Sequence, residues 1–194
     1  MMRIMLAAAA LLVAVIVGVG SFTIYQGATS PSAEAFGAPF TLVDQNGATV
    51  TEAAFRGHPS AVFFGFTHCP EVCPTTLFEM DNWLKTLGTE GTEIQAYFVS
   101  VDPERDTPEI MKTYVANVSD RITGLTGEPD KVAAMTKSFG IFSRKVPLEG
   151  DDYTMDHTAS VLLLDASGDF VGTIAYGENQ QAALAKLKRL AGGA

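Results

Sequence analysis

Cysteine and histidine are scarce in this 194-residue chain, with two of the first and three of the second. Two cysteines are too few for a multi-bridge disulfide framework or a four-thiolate zinc site. They also miss the Cys-x-x-Cys spacing of the usual redox dithiol. No cysteine lies in the first 68 residues, which argues against anchoring through a lipidated cysteine. Basic residues are sparse too: 13 Lys and Arg face 22 Asp and Glu, for a net charge of −9. That balance argues against a nucleic-acid partner. Internal repeats and long low-complexity segments are absent.

Charge is missing altogether from Ile4 to Tyr25, "IMLAAAALLVAVIVGVGSFTIY". About 20 apolar residues suffice for a helix to cross a bilayer, so the run predicts a single N-terminal transmembrane helix. The rival, a cleaved signal peptide, would carry an apolar region of roughly 7–15 residues. Arg3 precedes the run and the next basic residue is Arg56. The expected topology is therefore an N-terminus in the cytoplasm and a C-terminal domain in the periplasm or another extracytoplasmic space. The cell membrane in question would be the inner one, and exposed thiols on its outer side tend to oxidise. The expected organisation is an anchor over 1–25, a small-residue tether over 26–38, and one domain over 39–194.

What is present alternates regularly. Residues 39–51, "PFTLVDQNGATVT", place Asn46-Gly47 between short alternating arms, a hairpin signal. "SAVFFGF" (60–66) and "IQAYFVSVD" (94–102) are apolar runs suited to strands covered on both faces. Between them Leu77, Met80, Leu84 and Leu87 share one helical face that stops at Gly88. A second helix opens on Thr107-Pro108, a short strand is expected at "RITGLTG", and a third helix runs from Glu128 to Gly140. Two strands joined at Ser167-Gly168 and a closing amphipathic helix complete an α/β pattern with a mixed sheet flanked by helices and an N-terminal hairpin extension. The order resembles the thioredoxin-like fold.

Cys69 and Cys73, in "FTHCPEVCPT", fall where the first core strand gives way to a helix. With Pro74 at the first helical position, Cys73 would lie near the N-cap, where unpaired N–H groups favour thiolate. Thiolate serves a nucleophile and a soft-metal ligand alike. An inert disulfide is the plain alternative, although so short a loop gains little from closure. Two thiolates suit Cu(I), and a third nitrogen ligand accommodates copper in either oxidation state. Zinc would also accept two thiolates, an imidazole and a water.

Three histidines are candidates for that third ligand. His58 sits in a polar turn. His68 adjoins Cys69, and consecutive side chains in extended backbone point to opposite sides. His157 follows an acidic loop, "LEGDDYTMD", which would face the dithiol in a thioredoxin-like fold. Thiol-exchanging members of that fold place a cis-proline there, where this chain has Asp156-His157-Thr158. A local pair between His157 and Asp156 is the structural alternative.

Four stretches in order carry a closer resemblance: "FGFTHCPEVCPTTL", "FVSVDPERDTPE", "ITGLTG" with "FSRKVP", and "DYTMDHTA". Over roughly residues 36–190 the chain resembles the Sco/SenC family, membrane-anchored copper chaperones of cytochrome c oxidase assembly. The resemblance implies that Cys69, Cys73 and His157 ligate copper, as Cu(I), Cu(II) or both. Asp156 would orient His157. The implied role is a metallochaperone rather than an enzyme, delivering copper to the Cu(A) site of oxidase subunit II. Another copper chaperone or a thiol reductant would be a further partner. The alternative is a thiol–disulfide reductase in which Cys69 and Cys73 form a redox-active disulfide and reduce the cysteines of the Cu(A) site. A peroxiredoxin-like peroxidase fits poorly, because Pro70 stands three residues before Cys73 where that family has Thr. Within the acidic loop, Asp102 and Asp106 are expected to cap the following helix, with Arg105 paired locally; contact of these residues with a partner is the alternative.

Overall fold

A computed structural model describes residues 36–193. The expected anchor and most of the tether lie outside the described residues. Among the described residues, no helix is long and apolar enough to cross a membrane.

A seven-stranded mixed sheet forms the centre. Strands β3 (Ser60–Gly65), β4 (Gln95–Ser100) and β5 (Ile122–Thr126) run parallel, with Val62 opposite Tyr97 and Tyr97 opposite Thr123. All six residues of β3 are buried, as its unbroken apolar run requires. The N-terminal hairpin of β1 (Thr41–Asp44) and β2 (Thr49–Thr51) joins the sheet by antiparallel pairing of β1 with β5. At its turn, Asp44 Oδ1 accepts from the N–H groups of Asn46 and Ala48, and Gly47 takes φ 80°. On the other side, β8 (Val161–Leu164) pairs antiparallel with β3, and β9 (Phe170–Ile174) with β8. The sheet order is β2-β1-β5-β4-β3-β8-β9.

Helix α1 (Val72–Leu87) buries Leu77, Met80, Leu84 and Leu87 as their spacing predicts, together with Cys73 and Trp83. Each such side chain withdrawn from water contributes roughly 1.5–3 kcal/mol. Gly88, at φ 60°, ends the helix, and the single turn α2 (Thr89–Thr92) follows. Helix α3 (Pro108–Ala116) is capped by Thr107, whose hydroxyl accepts from Ile110 N–H. Helices α4 (Pro129–Ser138) and α5 (Gln180–Ala191) complete the flanks.

The structure departs from the sequence reading in three places. Helix α1 begins two residues earlier than expected, so its N-cap is Glu71 and Pro74 is third in the first turn. Proline is tolerated there because first-turn N–H groups have no intrahelical partner. The short turn α2 had no periodicity by which to see it. The expected acidic loop before His157 is the turn and second strand of a hairpin: β6 (Ser143–Pro147) and β7 (Tyr153–His157) form a separate antiparallel ribbon, with Ser143 opposite His157. Neither ribbon strand has a fully buried residue, so neither carries the apolar alternation that marks a strand from sequence.

Topology then brings the distant residues together. Strand β3 ends at Gly65 and leads into the cysteine loop. In the antiparallel register Phe63 faces Val161, so the chain entering β8 arrives at that same carboxyl end. His157 lies four residues before Val161. The carboxyl ends of parallel strands are where α/β sheets place their sites.

Candidate metal centre

Cys73, in the first turn of α1, is 0 % exposed, whereas Cys69 in the preceding loop is half-buried and reaches solvent. Both are free thiols. No side chain of the N-cap residue Glu71 caps α1; instead Cys73 N–H donates to Cys69 Sγ at 3.4 Å. Cys69 thereby occupies the acceptor role of a capping residue, at the positive end of the helix dipole. Hydrogen bonding from the Cys73 side chain, then contacts from His157 and the N–H groups of Cys73 and Glu71, hold the Cys69 thiol down at about 4 against the opposing effect of burial. The Cys73 thiol is pushed far up by its bond to Cys69 and by burial. The pair thus shares one proton, with thiolate on the exposed sulfur and thiol on the buried one.

His157 closes the site from the end of β7. Its Nε2 lies 3.5 Å from Cys73 Sγ, and its Nδ1 lies 3.0 Å from Thr158 O. A carbonyl only accepts, so Nδ1 donates to it, and Nε2 is the ring nitrogen that faces the sulfurs. Phe66 and Phe63 pack edge-on against the ring, with centroids at 5.7 and 6.1 Å. One ligand atom from each of Cys69, Cys73 and His157 lies within 4.8 Å of the other two. Two bonds from sulfur to a soft ion, each of about 2.3 Å, bridge a separation of that order.

The other expected residues fall elsewhere. His68 is exposed and contacts Thr67 Oγ1, and His58 lies near Ser60 Oγ and Pro59 O. Asp156 does not orient His157: its carboxylate accepts from Arg144 Nη2 at 2.7 Å, on the outer side of the ribbon. Alternation along β7 explains this, since neighbouring residues of a strand face opposite ways. Nor do Asp102 and Asp106 cap α3, a task that falls to Thr107. Asp106 is fully buried and accepts from Thr67 N–H (3.1 Å), Thr67 Oγ1 (2.6 Å) and Ser100 Oγ (2.7 Å). It ties the loop entering the cysteines to the end of β4. Burial pushes its carboxyl above the usual range, opposed by those bonds.

Two further residues shape the site. A Cβ at Gly65 would stand 2.7 Å from Cys73 Sγ and 2.8 Å from Phe98 Cε2, so only glycine lets the buried sulfur lie against β3. An isolated glycine in an apolar strand was the available signal for that close approach. Tyr153, at the start of β7, donates its hydroxyl to Asp102 Oδ1 at 2.8 Å, a contact no local pattern announces.

Fold and site together define a thioredoxin-like domain whose dithiol is joined by an imidazole, a donor set for a soft metal ion. Residues 28–192 match the SCO1/SenC family model, and the chain belongs to that family. It is 36% identical over 154 residues to a SCO2-like protein of Rickettsia prowazekii, covering 78% of this chain and 73% of that one. Among solved structures, it is similar to Bradyrhizobium japonicum ScoI with copper bound. Identity there is 45% and the TM-score 0.75, over 80% of this chain and 99% of the other. It also resembles BsSco, described as having a disulfide switch and as a member of the Sco family of cytochrome c oxidase assembly proteins. That match has 27% identity and a TM-score of 0.66, over 84% of this chain and 96% of BsSco.

Proposed function

We propose that this protein is a copper metallochaperone of cytochrome c oxidase assembly, binding the ion as cargo through Cys69, Cys73 and His157. The observation that carries this reading is the convergence of two sulfurs and one imidazole nitrogen within 4.8 Å at the mouth of the domain. The copper-bound relative ScoI supports the choice of metal. Two soft sulfurs suit Cu(I), and the added nitrogen suits Cu(II). Cys73 is buried while Cys69 and His157 are partly open. An acceptor thiolate would therefore displace the outer ligands first and Cys73 last. The client in this reading is the Cu(A) site of oxidase subunit II. The apolar run at Ile4–Tyr25 would hold the domain on the outer side of the inner membrane.

The test is titration of the full chain, purified without oxygen and with reduced thiols, using Cu(I) and Cu(II) separately. One equivalent of each should bind. Binding of both should vanish in Cys69→Ala/Cys73→Ala, and Cu(II) affinity should fall at least about 10-fold in His157→Ala. Cu(II) affinity indifferent to His157 would overturn the three-ligand reading.

A second reading has its own support in the Cys69 thiolate and the disulfide switch described for BsSco. Cys69 would attack a substrate disulfide, releasing one substrate thiolate and forming a mixed disulfide. Cys73, losing its proton, would then attack Cys69 Sγ and release the second thiolate. The protein ends as a Cys69–Cys73 disulfide and the substrate as a dithiol, so a separate thiol reductant must restore the pair. Reductase activity should survive His157→Ala; copper-dependent delivery should not.

A further inference from the structure

The segment 101–107, between β4 and α3, touches both arms of the metal centre. Through Asp106 it holds Thr67, two residues before Cys69. Through Asp102 and Arg105 it holds Tyr153, four residues before His157. Asp102 accepts from Tyr153 Oη and from Arg105 Nε, and Arg105 Nη1 donates to Tyr153 O at 2.9 Å. The guanidinium carbon stands 3.7 Å from the Tyr153 ring centroid and 5.9 Å from that of Phe66, the ring that packs against His157. Nη1 also reaches Asp152, at 3.4 Å. The remaining nitrogen, Nη2, is buried and makes no hydrogen bond among the described residues. A buried donor left unpaired is costly. Such a cost is tolerated where the rest of the side chain does something the fold needs.

The ribbon supplies that need. Strands β6 and β7 pair with each other and not with the main sheet, and no ribbon residue is fully buried. Met155 rests against the core and Phe63 and Phe66 meet the His157 ring edge-on, but no fully buried ribbon side chain fixes its position. We propose that Arg105 is a positioning residue for the metal centre: it pins the turn end of the β6–β7 ribbon, at Tyr153, to the loop that also holds the dithiol, and thereby sets where the His157 imidazole at the other end of β7 meets the two sulfurs. The planar fork reaches a carboxylate with one nitrogen and a backbone carbonyl with another while stacking on an aromatic ring, which an ammonium cannot do. The inference rests on the copper reading for its affinity readout, but it has a readout free of copper.

The test uses the full chain with Arg105→Gln and Arg105→Lys. Cu(II) affinity should fall about 10–100-fold in both, as when groups behind a metal ligand are removed. The Cu(II) electron paramagnetic resonance spectrum should change, while Cu(I) affinity, which two thiolates sustain, stays near that of the unaltered protein. Without copper, the ring ¹⁵N shifts of His157 should report one Nδ1–H tautomer in the unaltered protein and an average of states in Arg105→Gln. An unchanged Cu(II) spectrum and affinity would overturn the proposal, as would equal loss of both copper ions with a fall in folding stability. If the unaltered protein binds no copper, the metallochaperone reading fails. The ¹⁵N shifts still decide: an unchanged single tautomer in Arg105→Gln overturns the pin, and an average of states supports it.

Discussion

Cys73 and His157 approach within 3.5 Å, yet they stand on regions built in opposite ways. Cys73 is part of the core: its sulfur lies on β3, under α1, in a space only Gly65 leaves open. His157 ends a ribbon with no core of its own, held by side-chain bonds from a neighbouring loop. The dithiol arm is therefore fixed by core packing together with the buried Asp106 bonds, and the imidazole arm by polar ties with only partly buried apolar contacts. In the metallochaperone reading, a centre that takes up an ion and passes it on would gain from this division. The rigid arm keeps the thiolate donors preorganised, while the other arm can be displaced without disturbing the fold.

The comparison is most strongly challenged at Asp106. Asp106→Ala leaves Thr67 N–H, Thr67 Oγ1 and Ser100 Oγ without their acceptor, and stability should drop by about 3 kcal/mol. Urea unfolding measures this; a loss comparable to a surface change would mean that the dithiol arm is not anchored as described.

Next comes the split between the two sulfurs. With its pKa held at about 4, Cys69 is thiolate throughout the neutral range, and lowering the pH to 6 does not protonate it. Its alkylation by iodoacetamide in the reduced, metal-free protein should change less than about twofold from pH 6 to 8, where an ordinary cysteine peptide accelerates roughly 100-fold. Cys73, buried and protonated, should remain unlabelled until the protein unfolds. Rates that climb tenfold per pH unit would make Cys69 an ordinary thiol and erase the contrast.

Gly65→Ala crowds Cys73 Sγ and the Phe98 ring together and should cost about 1–3 kcal/mol by overpacking. Chemical denaturation checks the cost, and an unperturbed protein would show the core to be looser than its geometry.

The smallest effect is expected on the ribbon surface. Arg144 and Asp156 are both more than half exposed, so Arg144→Ala should alter stability by less than about 0.5 kcal/mol. Asp156→Ala should leave Cu(II) affinity unchanged, because the His157 Nδ1–H is held by Thr158 O instead. A tenfold fall in that titration would restore Asp156 as the residue that orients the imidazole.

Local sequence was enough for the framework and for the candidate ligands. Continuous apolar runs marked β3 and β4, the i, i+3, i+7 spacing marked α1, and Asn46-Gly47 and Ser167-Gly168 marked turns closed by Asp44 and Asp165. The cysteines were legible at a strand-to-helix junction because both elements announce themselves by periodicity. The ribbon was not, since strands that bury neither face carry no alternation. The start of α1 was misplaced because a sulfur, rather than the side chain of an N-cap residue, receives its first-turn N–H.

By itself, then, the sequence determined the strands of the main sheet and its longer helices and offered three side chains with soft-metal donor atoms, because periodicity, turn residues and donor type are local properties. Only the tertiary structure decided that the three meet and what holds them there. His157 stands 84 residues from Cys73, Thr67 39 from Asp106, and Arg105 48 from Tyr153. Those separations close only when β8 inserts antiparallel beside β3, bringing the approach to β8 to the end of the sheet where β3 and β4 release their loops. Packing across the whole sheet sets that register, and no short stretch of chain encodes it.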